Sequence, residues 1–166
     1  MEDQRATAMV CFIYTLVVIV LGFSMLSGSQ ATPAGESGKI VFSAFLEVEG
    51  NWEIVVTDED DQHLENLSNN PADDYEPAWS PDGKHIAFVS DRDGNDEIYI
   101  MDADGSNQRR ITNNPLSDIM PSFAPDGRRL AFTRMPGISG RADVFLIDID
   151  GQNEKRLTDG GAAEWS

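Results

Sequence analysis

The chain has 166 residues, of which 40% are hydrophobic, and its 29 Asp and Glu outnumber 12 Lys and Arg to give a formal net charge of −17. Such a surface repels phosphate backbones and anionic lipid headgroups, so we expect no nucleic-acid binding. The single cysteine, Cys11, excludes a disulfide within the chain.

The first predicted element is an apolar N-terminal segment. Residues 8–26 are mostly apolar and carry no charge, and as a helix they would extend roughly 28 Å, near the thickness of a bilayer core. The small residues of Ser29-Gln30-Ala31 suit a signal peptidase, whereas the acidic start is atypical of a signal peptide. We predict that residues 1–31 are either a cleaved signal peptide or an uncleaved anchor, followed by a linker at 32–37. In both cases the remainder is exported.

Residues 38–166 contain a repeat with a period near 44 residues. The sequence PAWSPDG at Pro77–Gly83 returns as PSFAPDG at Pro121–Gly127, and a further copy begins at Glu164–Ser166. A fixed period of this length is typical of an array of small β modules. Phenylalanines in phase with it are Phe42, Phe88 and Phe132.

Each repeat resolves into four short strands. In the central copy we predict strands at Pro77–Ser80, His85–Ser90, Glu97–Asp102 and Arg109–Thr112, with the last leading into the next copy. Asp-Gly turns between short apolar runs are strong hairpin signals. The strands are therefore expected to form antiparallel sheets.

The residue pattern within the strands indicates how the sheets are arranged. Ile86–Val89 and Ile98–Met101 are apolar at consecutive positions, which predicts middle strands covered on both faces. Arg109 and Arg110 mark the fourth strand as a solvated edge. The predicted fold class is all-β: three four-stranded antiparallel units forming the blades of a partial β-propeller, preceded by an N-terminal hydrophobic helix.

At this point the residues resemble a known family. The Trp79–Lys84 turn, the Ile86–Phe88 strand, the Ile98–Asp102 strand and the Arg-Ile-Thr-Asn edge at 110–113 look like the TolB-type WD40-like repeat. The resemblance covers residues 38–166. It implies a β-propeller located outside the cytoplasm, as in the periplasmic part of the Tol–Pal envelope system. The same repeat also occurs in propellers attached to prolyl-oligopeptidase-type peptidases.

No catalytic, cofactor or metal site is predicted. Ser24 and Ser139 both miss the G-x-S-x-G spacing of a nucleophile elbow. His63 and His85 have no further ligand at metal spacing, so we interpret them as surface or packing residues. The acidic stretch at residues 91–97 has glycine at its fourth position, whereas a calcium loop needs it at the sixth, so a hairpin turn is the better interpretation.

One aromatic position recurs with the module. Trp79, Phe123 and Trp165 occupy it in successive copies. Burial between neighbouring blades and exposure as a ligand platform are both compatible with the pattern. We predict the first, because the position is tied to the repeat.

Function has to be inferred from the architecture. We predict a non-enzymatic, extracytoplasmic module that binds a protein partner. The alternatives are a propeller fragment of a larger protein such as a peptidase, and a binder of carbohydrates or small ligands. Membrane contact would come only through the N-terminal segment, if it is not cleaved.

The strand tally also suggests a homodimer. The first unit starts at its second strand, Lys39–Phe45, and lacks an innermost strand, whereas residues 163–166 form a spare one. Two copies that exchange this strand would give a six-bladed ring with two-fold symmetry. A truncated sequence whose remaining blades are missing is the alternative.

Overall fold

β-Strands account for the regular secondary structure in the computed structural model, which describes residues 39–58, 64–137 and 141–158. The strands are β1 (Lys39–Leu46), β2 (Asn51–Asp58), β3 (Glu65–Asn66), β4 (Asp74–Trp79), β5 (His85–Ser90), β6 (Glu97–Asp102), β7 (Arg109–Arg110), β8 (Asp118–Phe123), β9 (Arg129–Arg134), β10 (Asp143–Asp148) and β11 (Lys155–Arg156). The predicted N-terminal segment (1–31), the linker (32–37) and the spare strand (163–166) lie outside the described residues.

The strands form three antiparallel sheets that follow one another along the chain. Sheet one has the order β1-β2-β3, sheet two β4-β5-β6-β7, and sheet three β8-β9-β10-β11. The all-β, three-unit prediction is therefore confirmed, although only sheets two and three have four strands among the described residues. No helix in the described part of the chain has the length and hydropathy needed to cross a bilayer.

The two middle strands of sheet two lie where the sequence predicts them. β5 and β6 pair in continuous register from His85↔Asp102 to Ser90↔Glu97. Residues 86–90 and 97–101 are all buried, as expected for strands covered on both faces.

The outer strands differ from their predicted bounds. β4 begins at Asp74, earlier than the predicted start at Pro77, and contains a bulge between Tyr75 and Ala78. β7 ends at Arg110, before the predicted Thr112. The reason is that the Thr112 hydroxyl, and not a backbone carbonyl, accepts the hydrogen bond from the Ile98 N–H at 2.9 Å.

Two apolar clusters hold the sheets together. The first joins sheets one and two, and the second joins sheets two and three. Members of the first are Val41, Ile54, Val56, Leu67, Trp79, Ile86, Phe88, Tyr99 and Met101. Members of the second are Ala87, Val89, Ile98, Ile100, Ile111, Leu130, Phe132 and Ile147. Sheet two is thus the middle layer of three.

A glycine allows sheets one and two to approach closely. Gly105, in the turn after β6, has φ of 81° and lies against the backbone of Leu67. A Cβ at this position would come within 2.7 Å of the Leu67 carbonyl oxygen. Both the left-handed backbone and the contact therefore require glycine.

Trp79 provides the first test of this packing. Its side chain is 6% exposed within the first cluster, and its indole N–H has no hydrogen-bond partner among the described residues. Trp79→Ala should lower the free energy of unfolding by about 3–5 kcal/mol, the usual cost of deleting a large buried aromatic. Trp79→Phe, which keeps a ring and loses no hydrogen bond, should cost clearly less. Denaturant titration measures both, and a loss below about 1 kcal/mol for the alanine variant would contradict the packing.

Candidate functional site

A carboxylate lies near the start of the third strand of each repeat, and in sheets one and two it is buried. In sheet two it is Glu97, which is 1% exposed. Glu97 accepts hydrogen bonds from Asn95 Nδ2 at 3.2 Å, from Thr112 Oγ1 at 2.6 Å and from the Asn114 N–H at 2.8 Å. Three donors compensate for the loss of water around the carboxylate.

Sheet one repeats this arrangement 44 residues earlier. Glu53 is fully buried and accepts hydrogen bonds from Asn51 Nδ2 at 2.8 Å and from the Ser68 hydroxyl. Asn51 Nδ2 also donates to the carbonyls of Asn70 and Ala72, at 2.8 and 2.7 Å. The carboxylate therefore fixes the loop that leads from sheet one into sheet two.

The same loops carry the contacts into the following sheet. Asn114 Nδ2 donates to Asp118 Oδ2 at 2.6 Å, and Asn70 makes the equivalent bond to Asp74. Asp74 and Asp118 are both 0% exposed and lie at the first residue of β4 and β8. The buried charge is thus placed at the junction between successive sheets.

An arginine neutralises each of these aspartates. Arg92 Nη2 lies 3.1 Å from both carboxylate oxygens of Asp74, and Arg134 contacts Asp118 through Nε at 2.7 Å and Nη2 at 2.9 Å. Each guanidinium also lies over an aromatic ring, 4.5 Å from the centroid of Tyr99 and 4.3 Å from that of Phe145.

Hydrogen bonds to Asp118 and Glu154 raise the pKa of Arg134 above its ordinary value. We call this whole set the inter-sheet polar network.

Sheet three departs from the pattern. Arg141 and Asp143 stand where the earlier copies have Asn and Glu. Asp143 forms a salt bridge with Arg156 Nη2 at 2.6 Å and accepts a hydrogen bond from the Thr158 hydroxyl at 3.1 Å. The third copy therefore keeps a bonded carboxylate but exchanges the amide for an arginine.

The first strands of sheets two and three, β4 and β8, share a second repeated feature, a bulge with left-handed backbone. Glu76 in β4 has φ of 52° and Met120 in β8 has φ of 56°, each within an interruption of the ladder. Left-handed residues other than glycine are uncommon and cluster at functional sites. Glu76 Oε2 accepts a hydrogen bond from the Met120 N–H at 2.7 Å, which links the two bulges directly.

Ionisable groups surround the first bulge. Tyr75 donates its hydroxyl hydrogen to Asp96 Oδ1 at 2.6 Å. Burial raises the pKa of Tyr75, and the carboxylates of Asp96, Glu76 and Asp91 raise it further. Burial also raises the pKa of Glu76 above the usual glutamate value, and the Asp96 charge adds to this, while the bond from Met120 opposes it.

Beside these groups the Met120 side chain is 55% exposed. We call Tyr75, Glu76, Asp96 and Met120 the bulge surface. It offers carboxylate acceptors next to a flexible apolar side chain, a combination suited to a basic or amphipathic side chain of a partner. Nothing in it resembles a nucleophile with a general base. In the described part of the chain no group of three or more His, Cys, Asp or Glu is arranged to hold a metal ion.

Comparison with known proteins decides the family. A family model described as the TolB beta propeller domain matches residues 23–165. The chain belongs to this family. The predicted TolB-type repeat is therefore confirmed. No curated protein sequence matches the chain.

Solved TolB propellers have the same fold. The putative TolB from Agrobacterium tumefaciens superimposes with a TM-score of 0.67 at 25% identity, over 81% of this chain and 51% of that one. TolB from Acinetobacter baumannii gives 0.66 at 27% identity, over 82% and 33%. A chain of the nidogen/laminin complex gives 0.62 at 14% identity, over 77% and 46%, which shows the fold alone. The chain spans about half and one third of the two TolB structures.

Several residues singled out in the sequence can now be placed in the TolB-type units. His85, interpreted from the sequence as a surface or packing residue, lies at the start of β5, partly exposed, with Nδ1 3.1 Å from Asp102 Oδ1. The stretch at 91–97 is a hairpin turn, closed by a 2.8 Å hydrogen bond from the Gly94 N–H to the Asp91 carbonyl. His63, Ser24 and Ser139 lie outside the described residues.

The recurrent aromatic position behaves as the packing interpretation predicts. Trp79 is buried between sheets one and two, and Phe123 is half-buried and packs against the second cluster. Trp165 lies outside the described residues.

Sequence reasoning missed the polar network and the bulge surface. The signal for the network was present, because Asn51 and Asn95, Glu53 and Glu97, and Asp74 and Asp118 are all 44 residues apart. These pairs keep the period of the apolar landmarks, but a period among polar residues does not by itself distinguish a buried network from repeated turns. No comparable sequence signal predicts the left-handed backbone of Glu76 and Met120, because their side chains differ.

The network predicts a large difference between two arginines of sheet two. Arg92→Ala leaves the fully buried Asp74 carboxylate without its counter-ion, so the free energy of unfolding should fall by about 3–5 kcal/mol. Arg110→Ala is the matched control, since Arg110 pairs with the exposed Asp93 and should cost less than about 1 kcal/mol. Equal losses in urea titrations would contradict a structural role for the network.

Glu76 predicts a pH-dependent effect. Because its pKa is raised in the folded protein, its ionised form destabilises the fold once the pH rises above the usual glutamate value. Glu76→Gln keeps an oxygen to accept the Met120 N–H and removes the charge. The variant should therefore be more stable than the parent at pH 7 and equal to it near pH 3, as thermal unfolding at both pH values would measure. Glu49→Gln, at an exposed hairpin position, is the control, and a Glu76→Gln effect that does not change with pH would overturn the assignment.

Proposed function

We propose that this chain is a non-enzymatic, extracytoplasmic module that binds a protein partner through the bulge surface. The observation that carries the proposal is membership of the TolB propeller family over residues 23–165, together with the likeness to two TolB structures at 25% and 27% identity. In this module the sheets provide the scaffold, and the bulge surface, formed around the irregular strands β4 and β8, contacts the partner.

The location outside the cytoplasm is supported by two features. The chain is related to TolB propellers, and residues 8–26 form an uncharged apolar segment at its N-terminus. This segment acts as a signal peptide or as a membrane anchor, with the propeller units on the outer side. A net charge of −17 keeps these units away from anionic headgroups.

The chemistry of the bulge surface defines the kind of partner. Glu76 and Asp96 favour a segment with a lysine or arginine, and the exposed Met120 favours an adjoining apolar side chain. A protein that contains a propeller of this fold is part of the nidogen/laminin complex, which is a protein–protein assembly. A second copy of the chain is a further partner of the module, through other surfaces.

Site-specific photo-crosslinking in cells tests the proposal. A photo-reactive amino acid at Met120 of the full chain should give a discrete adduct with another protein. Lys84, exposed in the turn after β4, is the control position and should give none. Glu76→Lys should weaken the Met120 adduct, since it reverses the charge beside the contact.

Export is measured in the same cells. A reporter enzyme that works only outside the cytoplasm, fused after residue 166, should be active. Adducts of equal strength at Met120 and Lys84, or reporter activity only in a cytoplasmic version, would contradict the proposal. A fragment of a larger peptidase, the alternative, would instead crosslink to substrate peptides and not to one protein.

A further inference from the structure

Five turns in the described residues contain an aspartate followed directly by glycine. The aspartates are Asp82, Asp93, Asp104, Asp126 and Asp150, and all five are exposed to water. In an Asp-Gly pair the glycine nitrogen can attack the side-chain carbon Cγ of the aspartate, because glycine has no Cβ to obstruct the approach. How each turn restrains these two groups therefore decides where the reaction occurs.

The reaction closes a ring and needs no co-reactant. A bond forms between the glycine nitrogen and Cγ, the nitrogen loses its proton, and a carboxyl oxygen leaves as water, which gives a succinimide. Water then adds to either ring carbonyl and leaves aspartate or isoaspartate, in which the main chain runs through Cβ and Cγ. The protonated carboxyl group is the reactive form, since an ionised carboxylate is a poor electrophile.

All five turns hold the glycine nitrogen in the same way. Each glycine N–H donates a hydrogen bond to the backbone carbonyl three residues earlier, at 2.8 or 2.9 Å. The turn has to open before this nitrogen can attack the side chain. Because the restraint is common to the five turns, it slows the reaction in each of them but does not distinguish one from another.

The carboxylates, in contrast, are restrained differently. Four accept a hydrogen bond from a side chain: Asp82 from Ser80, Asp93 from Tyr99 and Arg110, Asp104 from Ser106, and Asp126 from Arg129. Among the described residues, the Asp150 carboxylate accepts only the Gln152 N–H, at 2.9 Å. Donors hold a carboxylate in place and favour its ionised, unreactive form. Asp150 is therefore the least protected of the five.

Equivalent turns of sheets two and three isolate this difference. Asp104 and Asp150 are 46 residues apart. In both turns the residue two before the aspartate donates its N–H to the carbonyl two residues after it, at 2.9 and 3.0 Å. Ser106 bonds Asp104 through its hydroxyl at 2.5 Å and its N–H at 3.0 Å, and these bonds lower the pKa of Asp104. Gln152, at the position of Ser106, gives Asp150 only its N–H.

We propose that Asp150 is the site at which the folded chain isomerises to isoaspartate. Its turn packs on sheet two, because the Ile149 carbonyl accepts a hydrogen bond from Arg109 Nη2 at 2.7 Å. A Cβ at Gly151 would lie 3.2 Å from the Ile111 carbonyl oxygen, so the backbone has little room to move there. Isoaspartate adds one atom to the main chain at this point. The modification should therefore loosen the junction between sheets two and three and lower the melting temperature.

Peptide mapping of the full chain, after incubation in a mildly acidic buffer, measures the reaction. Trypsin cleaves after Arg141 and Lys155, so one peptide contains Asp150 and excludes the Asp-Gly pair at Asp159, which lies outside the described residues. Electron-transfer fragmentation then identifies isoaspartate. We expect more of it at Asp150 than at any of the other four turns. In urea, where the turns are open, this preference should disappear.

Exchanging the residue after the glycine provides matched variants. Gln152→Ser should give Asp150 a hydroxyl donor and reduce its isoaspartate several-fold, whereas Ser106→Ala should raise isoaspartate at Asp104 towards the level at Asp150. Both positions are exposed, so circular dichroism should show an unchanged fold. Asp150→Glu, which cannot form the same ring, should keep its melting temperature during the incubation. Equal isoaspartate at the five turns, a preference that persists in urea, or no response to Gln152→Ser would overturn the proposal.

Discussion

The packing of the sheets depends on carboxylates buried at their junctions. A buried charge is tolerated only where its hydrogen bonds and counter-ion are supplied, and here successive copies supply them from different strands. Glu97 fixes the loop after β7 through Thr112 and Asn114, and Asn114 in turn holds Asp118 at the start of the next sheet. Arg134 then completes the set. The apolar clusters provide most of the stabilisation, but these polar bonds determine where each sheet begins relative to the one before it.

The repeat explains why the polar network and the apolar clusters are compatible with the same packing of the sheets. Both have the same period, so each junction satisfies its polar groups and buries its apolar groups in one geometry. Sheet three deviates at Arg141 and Asp143. The Asp143 carboxylate contacts Arg156 and Thr158 of its own copy. Arginine at position 141 thus stands where Asn51 and Asn95 of the earlier copies donate to the loop that follows their sheets.

Much of the fold could be predicted from the sequence, because local signals and burial coincide in β5 and β6. Continuous apolar residues between Asp-Gly turns leave little choice of register there. The start of β4 could not be predicted, since Asp74 and Tyr75 pair with Ser90 and Val89 before a bulge that no local sequence signal indicates. The end of β7 was misjudged because Thr112 replaces a backbone acceptor with its hydroxyl. The bulge surface could not be predicted, because it depends on how two strands, β4 and β8, meet through the bond from the Met120 N–H to Glu76.

In the two bulges, the backbone conformation belongs to the repeat, whereas the side chain differs between copies. Glu76 and Met120 share one left-handed conformation at equivalent positions, so the bulge belongs to the repeat and not to a particular side chain. The side chains differ, however: Glu76 carries a carboxyl group whose burial opposes its ionisation, whereas Met120 has no ionisable group. A methionine at the same position shows that the fold does not need this charge. Within the chain, the Glu76 carboxylate accepts the Met120 N–H and so links the two bulges, although its burial opposes its ionisation. The recognition of a basic partner that we propose should therefore depend on the carboxylate of Glu76, which the equivalent Met120 lacks, and not on the bulge as such.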